Sequence, residues 1–375
     1  MAEGSKSSHP LSFAAFLWPA LAAEGASELA SAVASELAGL ALGPSTEPVQ
    51  REPEWATPNA VALELPSVRL RNFSRAGDGT PSLICAPYAL HGATVADFAP
   101  GHSLVGALQE AGLRRLFVTD WRSARPQMRF FSIDTYLADL NVLVDEIGGA
   151  VDLIGLCQGG WLALIYAARF PSKVRKLVIA GAPIDNAVGG GLTALARDTP
   201  LSVFKQLVEL GHGRMLGGHA LQFWAPDTFD QAAVHRLLQS AEAVDSPALQ
   251  RLEARFRDWY AWTVDLPGVY YLEVVERLFK ENGLAAGRLT ALGRRIDLSA
   301  VTCPLFLLAA REDELVAPEQ LSAAARLVGT PAREIRSELV GGGHLGLFMG
   351  RDVLTTVWPG IAHWLVHDGR GRCAA

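Results

Sequence analysis

The chain has 375 residues, half of them hydrophobic and 19% charged, which suits one large α/β domain with insertions, or two domains. A net charge of −6 with no long basic run excludes a nucleic-acid binder of the usual basic kind. Four cysteines, Cys85, Cys157, Cys303 and Cys373, form no CxxC pair, so neither a zinc site nor a disulfide framework is expected, and free thiols suit a reducing cytoplasm.

Residues 10–42 read as two helices. Phe13, Phe16, Leu17, Trp18 and Leu21 mark the first; Leu29, Val33, Leu37 and Leu40 recur at helical spacing in the second. This arm either packs on the core or on a second subunit, or lies on an apolar surface such as a lipid or polymer granule. The stretch from Leu11 to Ala23 also resembles a weak signal peptide, but Pro19 interrupts it and Lys6 is its whole basic region. A cytoplasmic protein is the preferred reading. Four prolines between Gly43 and Pro58 mark a linker, which closes an N-terminal unit at residue 58.

From there strands and helices alternate. Ala60 to Leu65 and Val68 to Phe73 read as an antiparallel pair around a Pro66-Ser67 turn, and Pro81 to Ala86 as the next strand. A helix is predicted from about Ser103 to Ala111, a strand from Leu116 to Thr119, and a helix from Ile133 to Ile147. Val151 to Ile154 and Leu177 to Ala180 are strands flanking an apolar helix from Trp161 to Phe170. Alternation then stops. Residues 186–296 read as a helical lid insertion, with Trp224, Trp259, Tyr260, Trp262, Tyr270 and Tyr271 taken chiefly as its packing core. The sheet resumes with Leu305 to Ala309 and Glu334 to Val340, and one helix from Arg351 to Val366 closes it. The units are therefore 1–58, 59–185, 186–296, 297–368 and a tail, 369–375. This order is that of an α/β-hydrolase fold: a mostly parallel sheet, helices on both faces, and a lid.

The chemistry centres on Gly155-Leu156-Cys157-Gln158-Gly159-Gly160, a strand, a tight turn and a helix with a nucleophile at the apex. Such a turn strains its apex residue, and Gly155 and Gly159 remove side chains that would collide there. The sulfur falls at a helix N-terminus, where the dipole favours thiolate. A thiol nucleophile needs a base, and the base an orienting acid. His344 follows the last strand and a glycine run, Gly341-Gly342-Gly343, and Asp313 follows the preceding strand in an Asp-x-x-Val-x-Pro pattern. Glu312 and Glu314 compete with Asp313 for the acid's role. The oxyanion is expected between the amides of Gln158 and a residue near Ala89. His91, in that same loop, is a candidate for a substrate or lid role, and Trp161, bulky and just past the glycines, for narrowing the pocket. Acyl transfer follows; whether water, an alcohol or a thiol accepts the acyl group stays open.

Several stretches together resemble the polyhydroxyalkanoate synthases, above all those that work with a second subunit. The box at 155–160 looks like their cysteine "lipase-like box". Tyr88-Ala89-Leu90, residues 101–105, Val118-Thr119-Asp120-Trp121, residues 293–298, Cys303-Pro304, Asp313 to Pro318 and Gly342-Gly343-His344-Leu345-Gly346 are similar at matching spacing, covering about residues 60–366. The resemblance implies Cys157 as acylated nucleophile, His344 as base and Asp313 as acid. It implies 3-hydroxyacyl thioesters of coenzyme A as substrate, a polyester as product, no resident cofactor, and a homodimer or second subunit. His91-Gly92, Trp161 and the lid depart from the family pattern. They keep alive a depolymerase or thiol esterase; from another class, the N-terminal arm supports a non-catalytic granule-associated protein.

Overall fold

The computed structural model of the chain describes residues 51–224, 234, 237–238 and 246–367. The N-terminal helices, most of the predicted linker, Cys373 and the tail lie outside the described residues.

Eight strands form one sheet: β1 (Ala60–Glu64), β2 (Val68–Asn72), β3 (Ser82–Cys85), β4 (Leu116–Trp121), β5 (Val151–Leu156), β6 (Val174–Ala180), β7 (Leu305–Ala310) and β8 (Ile335–Val340). Their order is β1-β2-β4-β3-β5-β6-β7-β8. β2 pairs antiparallel with β1 and β4, and all pairs from β4 onward are parallel. This is the α/β-hydrolase sheet that the element order predicts. β5 is buried at all six positions, as a central parallel strand covered on both faces must be. Alternate side chains feed two cores. Leu83, Leu153, Leu177 and Leu305 join one, while Ile84, Ile154, Val178 and Phe306 join the other.

Three helices connect the strands before the insertion: α1 (Leu104–Glu110), α2 (Ile133–Glu146) and α3 (Gln158–Arg169). Ser103 caps α1 by accepting the Gly106 N–H at 2.7 Å. Between β6 and β7 the chain leaves the sheet for α4 (Gly191–Asp198), α5 (Leu201–Leu210), α6 (Gly217–Trp224), α7 (Pro247–Ala261) and α8 (Gly268–Glu273), the last running on into a π-helical turn, Val274–Lys280. Asp265 ties this insertion together, accepting from Arg214 and from the Gly217 N–H, both at 2.9 Å. The Val264 N–H donates to the Leu90 carbonyl at 3.0 Å, joining the insertion to the loop after β3.

Two elements differ from expectation. Residues 351–366 are not one helix but two, α9 (Arg351–Thr356) and α10 (Trp358–Val366). Pro359, in the first turn of α10, has no N–H to donate and its ring crowds the carbonyl four residues earlier, so the helix breaks before it. β4 also runs on to Asp120 and Trp121, because β2 offers them partners in Arg69 and Val68. Among the described residues no helix is long and apolar enough to cross a membrane.

Candidate active site

β3, β5, β6, β7 and β8 run in one direction, so the loops after them meet at one edge of the sheet. Cys157 sits there between β5 and α3 with φ 49° and ψ −119°, a backbone conformation that costs a non-glycine residue free energy. The turn is pinned by the Cys157 N–H on the Ala180 carbonyl and the Gly160 N–H on the Cys157 carbonyl, both at 2.8 Å. The glycines permit the crowding. A Cβ on Gly159 would lie 2.1 Å from the Cys85 carbonyl oxygen, and one on Gly155 would lie 2.6 Å from the Gly160 Cα.

His344 follows β8 and is 2% exposed. Its Nδ1 donates to Asp313 Oδ2 at 2.7 Å, so Nε2 is the nitrogen left to serve the Cys157 sulfur beside it. Asp313 is itself oriented: its Oδ1 accepts the N–H groups of Leu315 and Val316 at 2.9 and 2.8 Å. The two rival carboxylates do other work. Glu314 accepts the backbone N–H of His344 at 3.2 Å, and Glu312 accepts that of Gly342 at 2.5 Å, so both brace the glycine loop. Burial pulls the His344 pKa down, but the Asp313 charge and the Cys157 sulfur outweigh it and hold the imidazole well above its ordinary value.

Cys157, Gln158, Ala89, His91 and His344 all line one cavity of about 1090 Å³, its open mouth included. The backbone N–H groups of Ala89 and Gln158 have no acceptor among the described residues. His91 is half-buried, its ring 4.5 Å from that of Trp259 and 4.9 Å from that of Tyr260. Burial pushes its pKa down to about 4, a hydrogen bond to the Trp262 carbonyl opposing this in part. Cys85 and Cys303 have thiols pushed up to about 12 by burial, so neither rivals Cys157 as nucleophile.

Two expectations need correction. Trp161 does not line the cavity. It is 1% exposed, donates Nε1 to Gln158 Oε1 at 2.5 Å and stacks behind Tyr270, with ring centroids 6.4 Å apart. The aromatic residues of the insertion, in contrast, are more than packing. Trp224, Trp259, Tyr260, Tyr270 and Tyr271 form cavity wall, and Trp262 packs on Gly92, where a Cβ would come within 2.6 Å of its ring. Leu345 and Phe348, just beyond His344, also line the cavity; their closeness in sequence to the base was the available signal. Among the described residues no cluster of His, Cys, Asp and Glu is arranged to hold a metal ion.

A family model described as PHB de-polymerase C-terminus matches residues 228–368. The poly(3-hydroxyalkanoate) polymerase subunit PhaC of Synechocystis is 30% identical over 301 residues, spanning 76% of this chain and 75% of that one. Its namesake in Allochromatium vinosum is 25% identical over 291 residues, spanning 76% and 78%. Among solved structures, a monoacylglycerol lipase from Paleococcus ferrophilus aligns at a TM-score of 0.51 and 15% identity over 80% of this chain and 98% of its own. An enol-lactonase from Burkholderia xenovorans aligns at 0.51 and 16%, over 83% and 100%. These two likenesses establish the fold alone.

Proposed function

The chain belongs to the poly(3-hydroxyalkanoate) polymerase subunit PhaC family, and from that premise we propose that it transfers 3-hydroxyacyl groups from coenzyme A thioesters through an acyl-Cys157 intermediate. The observation that carries this reading is the His344–Asp313 hydrogen bond, with the imidazole beside Cys157 and both Cys157 and His344 on the wall of one apolar cavity.

His344 Nε2 holds the proton given up by the Cys157 thiol, and the resulting thiolate attacks the thioester carbonyl. Negative charge gathers on the carbonyl oxygen, and the unpaired N–H groups of Ala89 and Gln158 are the donors to receive it. Collapse breaks the bond to coenzyme A, whose sulfur departs with the proton held by His344, and leaves an acyl-cysteine. The hydroxyl of a second 3-hydroxyacyl group then gives its proton to His344 and attacks. An ester forms, and the proton returns to Cys157. Asp313 steadies the imidazolium at both stages. No metal or redox partner enters these steps. The relatives named as polymerase subunits support a working assembly with a second subunit.

Hydrolysis is the second reading, favoured by the match to a depolymerase family model and by His91-Gly92. It needs only that water replace the hydroxyl. Incubation with 3-hydroxybutyryl-coenzyme A separates the two. Released coenzyme A with accumulating polymer is expected; monomeric acid without polymer replaces synthesis by hydrolysis. Undiminished turnover by Cys157→Ala sinks both.

A further inference from the structure

Building on that acyl-transfer reading, we propose that His91 Nε2 accepts a hydrogen bond from the 3-hydroxyl of the bound acyl group, and that this contact selects hydroxyacyl over unsubstituted acyl thioesters. The tautomer is fixed by geometry. His91 Nδ1 lies 3.2 Å from the Trp262 carbonyl oxygen, which only accepts, so Nδ1 carries the proton and Nε2 offers a lone pair. The ring is held in that orientation by Trp259 and Tyr260, and the backbone beside it by Trp262 on Gly92.

Nε2 has no partner among the described residues, yet it is not among the side-chain atoms sealed off without one. It therefore borders open space, and the cavity is the open space His91 lines. The indole nitrogens on the wall are already engaged: Trp259 Nε1 donates to Thr94 at 3.2 Å, and Trp224 Nε1 to the Tyr271 hydroxyl at 3.0 Å. Tryptophan and glutamine nitrogens are donors in any case. The imidazoles of His91 and His344 thus supply the cavity's nitrogen acceptors, and His344 faces the sulfur. With its pKa pushed down to about 4, His91 stays neutral and accepting at physiological pH.

The reach fits. His91 is two residues from Ala89, so their Cα atoms lie within about 7.6 Å. With the carbonyl oxygen at the Ala89 N–H, a 3-hydroxyl two carbons away falls about 3–4 Å from the carbonyl carbon by standard bond lengths. That reach is compatible with a hydroxyl met by the imidazole.

The test is single-turnover acylation of full-length protein, read as the mass of the Cys157-bearing peptide, with 3-hydroxybutyryl- and butyryl-coenzyme A. The wild type is expected to favour the hydroxyacyl substrate. In His91→Leu the ratio of the two rates should fall about 10- to 100-fold, the worth of one hydrogen bond to a desolvated acceptor. His91→Gln, whose Oε1 accepts near the position of Nε2, should keep part of the preference. If both rates fall together, His91 serves the shared coenzyme A moiety or merely the loop, and the proposal is overturned. A wild type acylated equally by both substrates overturns it as well, without help from a variant that fails to fold. A wild type acylated by neither removes the acyl-transfer reading itself, and this inference with it.

Discussion

His344 stands between opposed effects. Burial disfavours its charged form, while the Asp313 carboxylate and the Cys157 sulfur favour it and prevail. Removing either partner should therefore lower its pKa, which histidine-selective NMR titration of Asp313→Asn and Cys157→Ala would show; an unmoved titration in both contradicts the assignment of cause. Asp313→Asn should also slow turnover by about 10³–10⁴-fold, by analogy with the serine triad. The same shift links to stability. A histidine that binds its proton more tightly when folded adds stability that is fully present below its unfolded value, near 6.5, and is lost as pH climbs through the raised folded value. The gap in denaturation midpoint between wild type and Asp313→Asn should accordingly narrow as pH rises from 6 toward 10. A gap that widens over that range is the contrary result.

At the level of elements, the strand-turn-helix around Cys157 is the tightest constraint. Gly159 packs so close to the end of β3 that an added methyl meets two carbonyl oxygens, those of Cys85 and Ala86, at 2.1 and 2.7 Å. Backbone cannot step aside as a flexible side chain would. Gly159→Ala should cost about 1–3 kcal/mol or more by overpacking, and should abolish acylation of Cys157 even where the protein remains folded. Urea denaturation beside active-site labelling checks both, and a variant with wild-type midpoint and rate refutes the crowding. This turn was legible in sequence because its requirements are local: a buried β-branched and aliphatic strand, a nucleophile, and glycines two residues to either side. Asp313 and His344 were legible for a related reason, each following a strand of the same parallel sheet. What depended on distant partners was not legible. Trp161 has the spacing of a pocket residue, but Tyr270, more than a hundred positions on, takes its ring behind the wall. The tautomer of His91 is set by the Trp262 carbonyl, 171 residues away. The break before Trp358 had its signal in Pro359, but the apolar periodicity of the surrounding residues masked it.

Across the whole molecule, the cavity belongs neither to the sheet nor to the insertion alone. The sheet edge supplies Cys157, His344 and the loop of Ala89, while the insertion supplies the aromatic wall opposite. A cavity made this way can change its capacity in the insertion without disturbing the chemistry at the edge. Trp224 is the residue on which that separation is best tried. It ends α6, is partly buried, and lies within a ring cluster, stacked on Phe204 at 5.8 Å and bonded to the Tyr271 hydroxyl. It makes no hydrogen bond to the triad. Trp224→Ala should open the wall at a cost of about 2–3 kcal/mol in stability, less than for a fully buried tryptophan. A longer acyl chain should then find room that a short one does not use. The ratio of kcat/KM for 3-hydroxyoctanoyl- over 3-hydroxybutyryl-coenzyme A is expected to rise about tenfold, the scale on which an apolar pocket discriminates methylene groups. If both substrates instead slow by the same factor, Trp224 holds the shape of the site without setting its capacity, and chain length is decided nearer the sulfur.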